Sequence, residues 1–462
     1  MKASALLQGQ GFRNPAALAL MTAVSVAVGV LLAENPVRFS IAAIVTVALV
    51  ILTTKHPEVV LALFITAGDY KDDPRFQVPF MDTTVFLGML TAMGILWAFI
   101  QKRVKLTVPP IKMFAPFLVI CCLSALSLTY TVAPVYGSQK FFRFVAITGL
   151  AFFGAFYTLQ EDERRRNFFA VYVLIALAMV FDIVKNGAPP PPSKWWEDEV
   201  SAFGSNYLAT GTLMGAAFIV ILMYFFMTDR SPVRKAIYLT VLCPATFYAL
   251  MLTGARGPLI TLALTLPCIL IFARRPHADG RRMTFWVSAV IGAAAVFLTF
   301  GSQNFARMTR RLTVLDEGGG ASALERIYMA KAALTAMSTM PYLIIGLGIG
   351  GFTVYYGRFD AARGLYPHNI LLELGSELGI VGLAAGICLL AWSFQRVYSF
   401  MKRTTGKDYY TAVAAMALFI YLTSNALKSG DLNDARFLFV IMGLIYSLGR
   451  GTKCHATEKE TS

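Results

Sequence analysis

The sequence predicts an all-α polytopic membrane protein of about 12–14 transmembrane helices. Three observations predict it. The 462 residues are 57% hydrophobic and only 15% charged, far too little polar surface for a soluble chain of this length. Mean hydropathy is +0.62. The apolar residues also fall into about fourteen blocks long enough, or nearly so, to cross a bilayer. Lipid, not water, is therefore the solvent for most of the chain.

The expected spans centre near Val26, Thr46, Leu63, Thr91, Ile120, Thr148, Leu177, Ala217, Val241, Leu264, Ala293, Gly382, Met416 and Gly443. The block from Pro57 to Ala67 is short and fits a re-entrant segment as well as a span. Lys2 and Arg13 precede the first block, but no small-residue cleavage site follows it, so that block reads as a span and not as a signal peptide.

Lys and Arg orient the helices. With the N-terminus inside, 24 of the 41 basic residues fall on inside segments, among them Lys102, Arg103, Arg164 to Arg166, Arg274, Arg275, Lys402 and Arg403. Every alternate loop agrees, which puts both termini on the cytoplasmic side. The net charge of +15 follows from this bias, with anionic lipid and phosphate as further partners, and nucleic acid is not implied. The expected organisation is N-terminal spans over 1–301, one large outside loop over 302–367, C-terminal spans over 368–449 and a tail over 450–462.

The large loop holds seven basic residues against four acidic ones, a net +3. Six of the seven are Arg, namely Arg307, Arg310, Arg311, Arg326, Arg358 and Arg363. A guanidinium matches phosphate and carboxylate oxygens with a planar fork of donors. A second outside segment carries Pro189 to Pro192, then Trp195 and Trp196, which suit an interfacial anchor or a sugar-stacking platform. Six cysteines occur without CxxC spacing, so neither a disulfide framework nor a zinc site is suggested. The glycines at 346–351 match a dinucleotide fingerprint only loosely and lie on the outside face, which argues against nucleotide binding.

Of the four histidines, His368 alone falls outside, where the Arg-rich loop meets a span. Imidazole titrates near neutral pH and suits general-base work. Arg256 lies in Gly254-Ala-Arg-Gly257 between two apolar blocks, where a charge is costly unless it is paired or functional. Glu373 and Glu377 are four apart and share a helix face, placed to orient His368, pair with a cation or line a polar cavity.

Together these stretches resemble the O-antigen ligase and polymerase superfamily over roughly residues 200 to 395. The segment His368 to Leu383, with Asn369, Glu377, Gly379 and Gly382, is similar to the helix that leaves that family's outside loop. Gly254 to Gly257 resembles its Arg-Gly segment, Arg326 to Ala333 and Pro341 to Phe352 its loop helix and Gly turn, and Phe203 to Asn206 its helix start.

The resemblance implies a GT-C-like membrane fold with helices in the large periplasmic loop. It implies glycan transfer from an undecaprenyl-pyrophosphate-linked donor at the periplasmic face of the bacterial inner membrane, with inversion and without a metal or other cofactor. His368, Arg256 and Arg326 are then the catalytic candidates. Lys140, Arg143, Asn206, Arg307, Arg310, Arg311, Asn369 and Glu377 are the candidates for substrate binding. A ligase acts on lipid A core, and the Arg-rich loop suits that phosphorylated acceptor. A polymerase acts on a second lipid-linked repeat, and Arg307 with Gly318 has the Arg-x10-Gly spacing described for polymerases. A secondary anion transporter is the reading from another class, but no pair of broken helices in related halves supports it.

Overall fold

A computed structural model describes residues 47–78, 81–104, 107–186, 200–272, 319–357 and 365–450. The chain is an all-α polytopic membrane protein: among the described residues there is no β-strand, only one isolated bridge between Val78 and Met81. It divides into two units, Met1–Lys55 and His56–Ser462. In the first, Val47–Lys55 is helical. The expected span centres Val26, Thr46 and Ala293, the Pro189–Trp196 segment and Arg307, Arg310 and Arg311 lie outside the described residues.

In the second unit the helices are α1 (Pro57–Thr66), α2 (Thr83–Ile100), α3 (Ile111–Ser127), α4 (Pro134–Thr158), α5 (Asp162–Asn186), α6 (Tyr207–Thr228), α7 (Pro232–Leu252) and α8 (Arg256–Phe272). The large loop contributes α9 (Gly319–Met337) and the short α10 (Tyr342–Ile345) and α11 (Gly351–Gly357). The chain then continues through α12 (Ile370–Arg403), α13 (Gly406–Ala426) and α14 (Arg436–Ser447). Among the described residues, six helices of the second unit are long and apolar enough to cross a membrane, and α3, α8 and α14 are shorter apolar helices.

Local chemistry sets the helix starts. Asp82 caps α2 by accepting from the Thr84 and Val85 amides at 2.8 and 3.3 Å. Pro57, Pro134 and Pro232 each stand in the first turn, where a missing N–H costs nothing. On α2, Val85, Met89, Met93, Leu96 and Ile100 form an exposed apolar stripe, while Thr84, Thr91 and Gly88 face inward. That polarity is the reverse of a soluble helix and fits contact with lipid. Inside, Phe117, Phe144, Phe152 and Phe439 from α3, α4 and α14 pack ring against ring at 5.1–6.2 Å.

The segments that the charge count groups together also meet in space. Arg450 donates to Thr107, Arg164 to the Arg103 carbonyl, and Lys407 pairs with Asp162. At the other end, Tyr130 donates to the Ile345 carbonyl, Thr131 to that of Ile349, and Arg75 pairs with Asp182.

The helix α12 is broken at Gly379, whose φ is +70°. A turn at Gly346, φ +73°, fits into the break. A side chain at Gly379 would overlap the Ile344 carbonyl, and one at Gly346 would overlap that of Glu377. Leu347 and Gly348 amides cap the freed carbonyls of Ser376 and Glu377 at 2.8 and 2.9 Å. The glycine-rich stretch thus completes a broken helix.

Candidate active site

The site is built around the turn between α13 and α14, residues 427–435. Four other elements converge on it. First is the segment leading into α12. Asn369 caps that helix by accepting from the Leu371 and Leu372 amides at 2.9 and 3.1 Å, so the helix begins at Ile370. The Asn369 Nδ2 donates to the Leu427 carbonyl at 2.7 Å. His368 precedes the cap at φ +54°, a left-handed conformation that an ordinary residue adopts only at a cost of about 1 kcal/mol or more.

His368 is half-buried and packs against Tyr366 with ring centroids 4.4 Å apart. It hydrogen-bonds the Ser429 backbone. Its Nδ1 has no partner among the described residues. Burial first, and then the positive charge of Arg326, push the imidazole below its ordinary titration range, against the pull of the Ser429 bond. The ring is neutral at pH 7, with a bare nitrogen able to accept a proton.

Second is α9. Met329, Ala333 and Ala336 recur at helical spacing and pack on Leu347 and Phe352, with Leu372 at the edge of the cluster. That stripe fixes the rotation of α9, and Arg326, one turn before Met329, thereby faces the turn. Its Nη1 donates to the Ser429 hydroxyl at 3.2 Å.

Third is the start of α8. Gly254, φ +65°, makes the bend, and the Thr253 hydroxyl accepts from the Ala255 amide. Arg256 opens the helix and is half-buried. Beside it, Gly257 lies against Lys428: a Cβ there would stand 2.9 Å from Lys428 Nζ. Lys428 Nζ donates to Thr261 Oγ1 at 2.9 Å. Its burial, and then Arg326, push the lysine down to about 8.

Fourth is a buried ion cluster under the turn. Lys140 of α4 reaches Glu373 at 2.6 Å and Glu377 at 2.7 Å, all three side chains at most 3% exposed. Glu373 also accepts from the Leu432 amide, and Glu377 from that of Gly350, each at 2.9 Å. The shared face of the two glutamates serves this cation and the two loops, not His368. The Lys140 ammonium is engaged by carboxylates, whereas Arg143, three residues on, is exposed, so this pair does not converge on one ligand.

A cavity of about 360 Å³ opens beside the turn, with Ser429, Tyr366, Asn206, Asp69, Asn425 and Arg436 on its wall. Asn206 also caps α6, accepting from the Leu208 amide at 2.8 Å. Ser429 is common to the cavity wall and to the His368 and Arg326 contacts.

Residues 239–387 match the family described as O-antigen ligase. That segment, less than half of the chain, is what resembles the O-antigen ligase superfamily. No curated protein matches the chain. Arg256, Arg326, His368, Asn369 and Glu377 lie in the segment matched to the ligase family, whereas Lys140, Arg143 and Asn206 precede it. Lys428 and Ser429 follow the matched segment, and sequence reasoning passed over both. The available signal was a lysine on a short loop that the charge count puts outside.

Proposed function

We propose that this chain is a member of the O-antigen ligase superfamily and transfers a glycan from undecaprenyl pyrophosphate to a hydroxyl of lipid A core at the periplasmic face of the inner membrane. The reaction inverts the anomeric centre and uses no metal. The observation that carries this reading is the meeting of Arg326, from α9, and His368, from the α12 lead, on Ser429 of a third element. A cation and a neutral base at one point suit displacement of a phosphate leaving group by a hydroxyl.

The acceptor oxygen attacks the anomeric carbon from the face opposite the carrier. The bond from that carbon to the pyrophosphate oxygen breaks, and its electron pair leaves with the pyrophosphate. Arg256 and Arg326 stabilise the growing negative charge. His368 takes the proton of the acceptor hydroxyl at Nδ1. Arg307, Arg310 and Arg311 of the loop meet phosphorylated core, and Asn206 meets sugar hydroxyls from the cavity wall. Asn369 positions His368. Lys140 and Glu377 act one step back as the frame of the site, and Arg143 stands at its rim.

The polymerase reading keeps the same chemistry and changes the acceptor. A transporter would need its broken helix to line a path, whereas the break at Gly379 is filled by the Gly346 turn.

Deleting the gene separates the first two readings. Core devoid of glycan, with polymer left on the carrier, is the ligase outcome; core bearing one repeat is the polymerase outcome. Complementation with His368→Ala or Arg256→Ala should restore no transfer at normal protein levels, and wild-type transfer by both variants overturns the site. Activity retained in chelator supports the metal-free mechanism, and its loss contradicts it.

A further inference from the structure

We infer that Lys428 is a third cation of the phosphate site, binding the pyrophosphate of the lipid carrier together with Arg256 and Arg326. The inference rests on the transfer reaction proposed above, but the residue lies outside the segment matched to the family, and only the fold brings it to the site.

Three observations carry it. Lys428 Nζ stands against the backbone of Gly257, the residue next to Arg256, so close that any Cβ at 257 would press on it. The glycine of the Arg-Gly pair thus has a steric purpose, which is to admit an ammonium against the first turn of α8, next in sequence to Arg256. Next, among the described residues Lys428 has one protein acceptor, Thr261 Oγ1, for three N–H donors. Arg326 likewise spends one donor on Ser429. Among the described residues neither cation has a carboxylate within ion-pair distance. The third observation is mutual repulsion: the Arg326 charge acts on both Lys428 and His368. Half-buried like charges with unspent donors form a site whose missing member is an anion.

Arg326 on α9 is the charge that acts on Lys428 among the described residues; Arg256 is the chain neighbour of the Gly257 that Lys428 lies against, and the neutral His368 bonds the backbone of the adjacent Ser429. The acidic groups Glu325 and Asp431 act on His368. Raising the pH through about 8 strips the proton from Lys428 in the empty site and removes one positive charge. Anion affinity therefore falls across that range. An arginine at 428 keeps its charge and abolishes the fall.

The test titrates the purified full chain, in detergent, with inorganic pyrophosphate from pH 7 to 9. Lys428→Met should weaken binding at pH 7 about tenfold, the worth of one charge-assisted hydrogen bond. Lys428→Arg should bind within about threefold of wild type at pH 7, and relatively tighter as pH rises. Gly257→Ala, which leaves every charge in place but displaces the ammonium, should fall between. Ionisation of pyrophosphate itself is common to all variants, so the ratio of wild type to Lys428→Arg is the readout. If Lys428→Met does not fold, Gly257→Ala and the Lys428→Arg ratio still decide. Loss of binding in Arg256→Ala, with Gly257→Ala unchanged and the ratio flat with pH, overturns the role of Lys428 alone. A wild-type chain blind to pyrophosphate, with Arg256→Ala still transferring glycan, overturns the phosphate reading beneath it.

Discussion

Asn369 donates from Nδ2 to the Leu427 carbonyl at 2.7 Å while its Oδ1 caps α12. One side chain therefore ties the His368 segment to the turn that carries Lys428 and Ser429. Asn369→Asp keeps an acceptor for the cap but loses the donor, and sets a carboxylate against a carbonyl. The expected result is a normally folded protein with transfer reduced about tenfold, from one hydrogen bond of about 1–1.5 kcal/mol. Asn369→Ala loses the cap as well, at about 1 kcal/mol further, and should lower the melting temperature. Melting in detergent, compared with transfer rate, checks the pair: equal activity in Asn369→Asp and wild type would show that the tie does not position the base.

His368 has a sign that a pH profile can read. Burial and Arg326 lower its titration below the ordinary histidine value of about 6.5. The neutral form is the proton acceptor, so transfer should hold steady as pH falls from 7.5 to 6.5 and decline only below that. Substituting Arg326 by Met removes the repulsion and should move this acid limb upward, besides slowing the reaction. A limb at or above 6.5 in the wild type would contradict the base role.

The Lys140–Glu373–Glu377 cluster predicts a stability effect and not a catalytic one. Removing the lysine leaves two buried carboxylates with no cation between them, a loss of about 3–5 kcal/mol for a buried ion pair. Lys140→Met should reach the membrane in much reduced amount. The triple change to Met, Gln and Gln at 140, 373 and 377 removes all three charges, and should recover part of that level. Protein level by blot, set beside transfer per folded molecule, distinguishes this from a phosphate contact.

Much of this was legible in the sequence because lipid simplifies the problem. Hydropathy and the Lys/Arg alternation give the helical class and the grouping of loops, and both rest on the cost of polar atoms in hydrocarbon. The expectation that His368 alone lies outside rests on the same count. Contacts between distant segments were not legible. The four-residue spacing of Glu373 and Glu377 says they share a face, but not that Lys140, 233 positions before the first of them, supplies their charge. In the sequence Lys428 is one more loop lysine; its place against Gly257 comes from the fold. The glycines at 346–351 carried a pattern without a partner, and the partner is a helix break that hydropathy does not register.

That break yields the last prediction. Gly379 and Gly346 both sit at positive φ, where an L side chain costs about 1–2 kcal/mol before any contact is counted. Each also lies against a carbonyl of the other segment, so an added methyl forces the two apart. The Gly346 turn leads into α11, and α11 packs with α9, which carries Arg326; the other side of the break leads up to Asn369 and His368. Opening the joint thus separates the cation from the base without touching either. Gly379→Ala should therefore lower transfer per folded molecule far more than its effect on melting alone would suggest. Gly382→Ala, three residues on within the helical part of α12, meets mainly its own helix and serves as the comparison. If Gly379→Ala loses stability and activity in the same proportion as Gly382→Ala, the joint is a packing feature and does not hold the two catalytic groups in register.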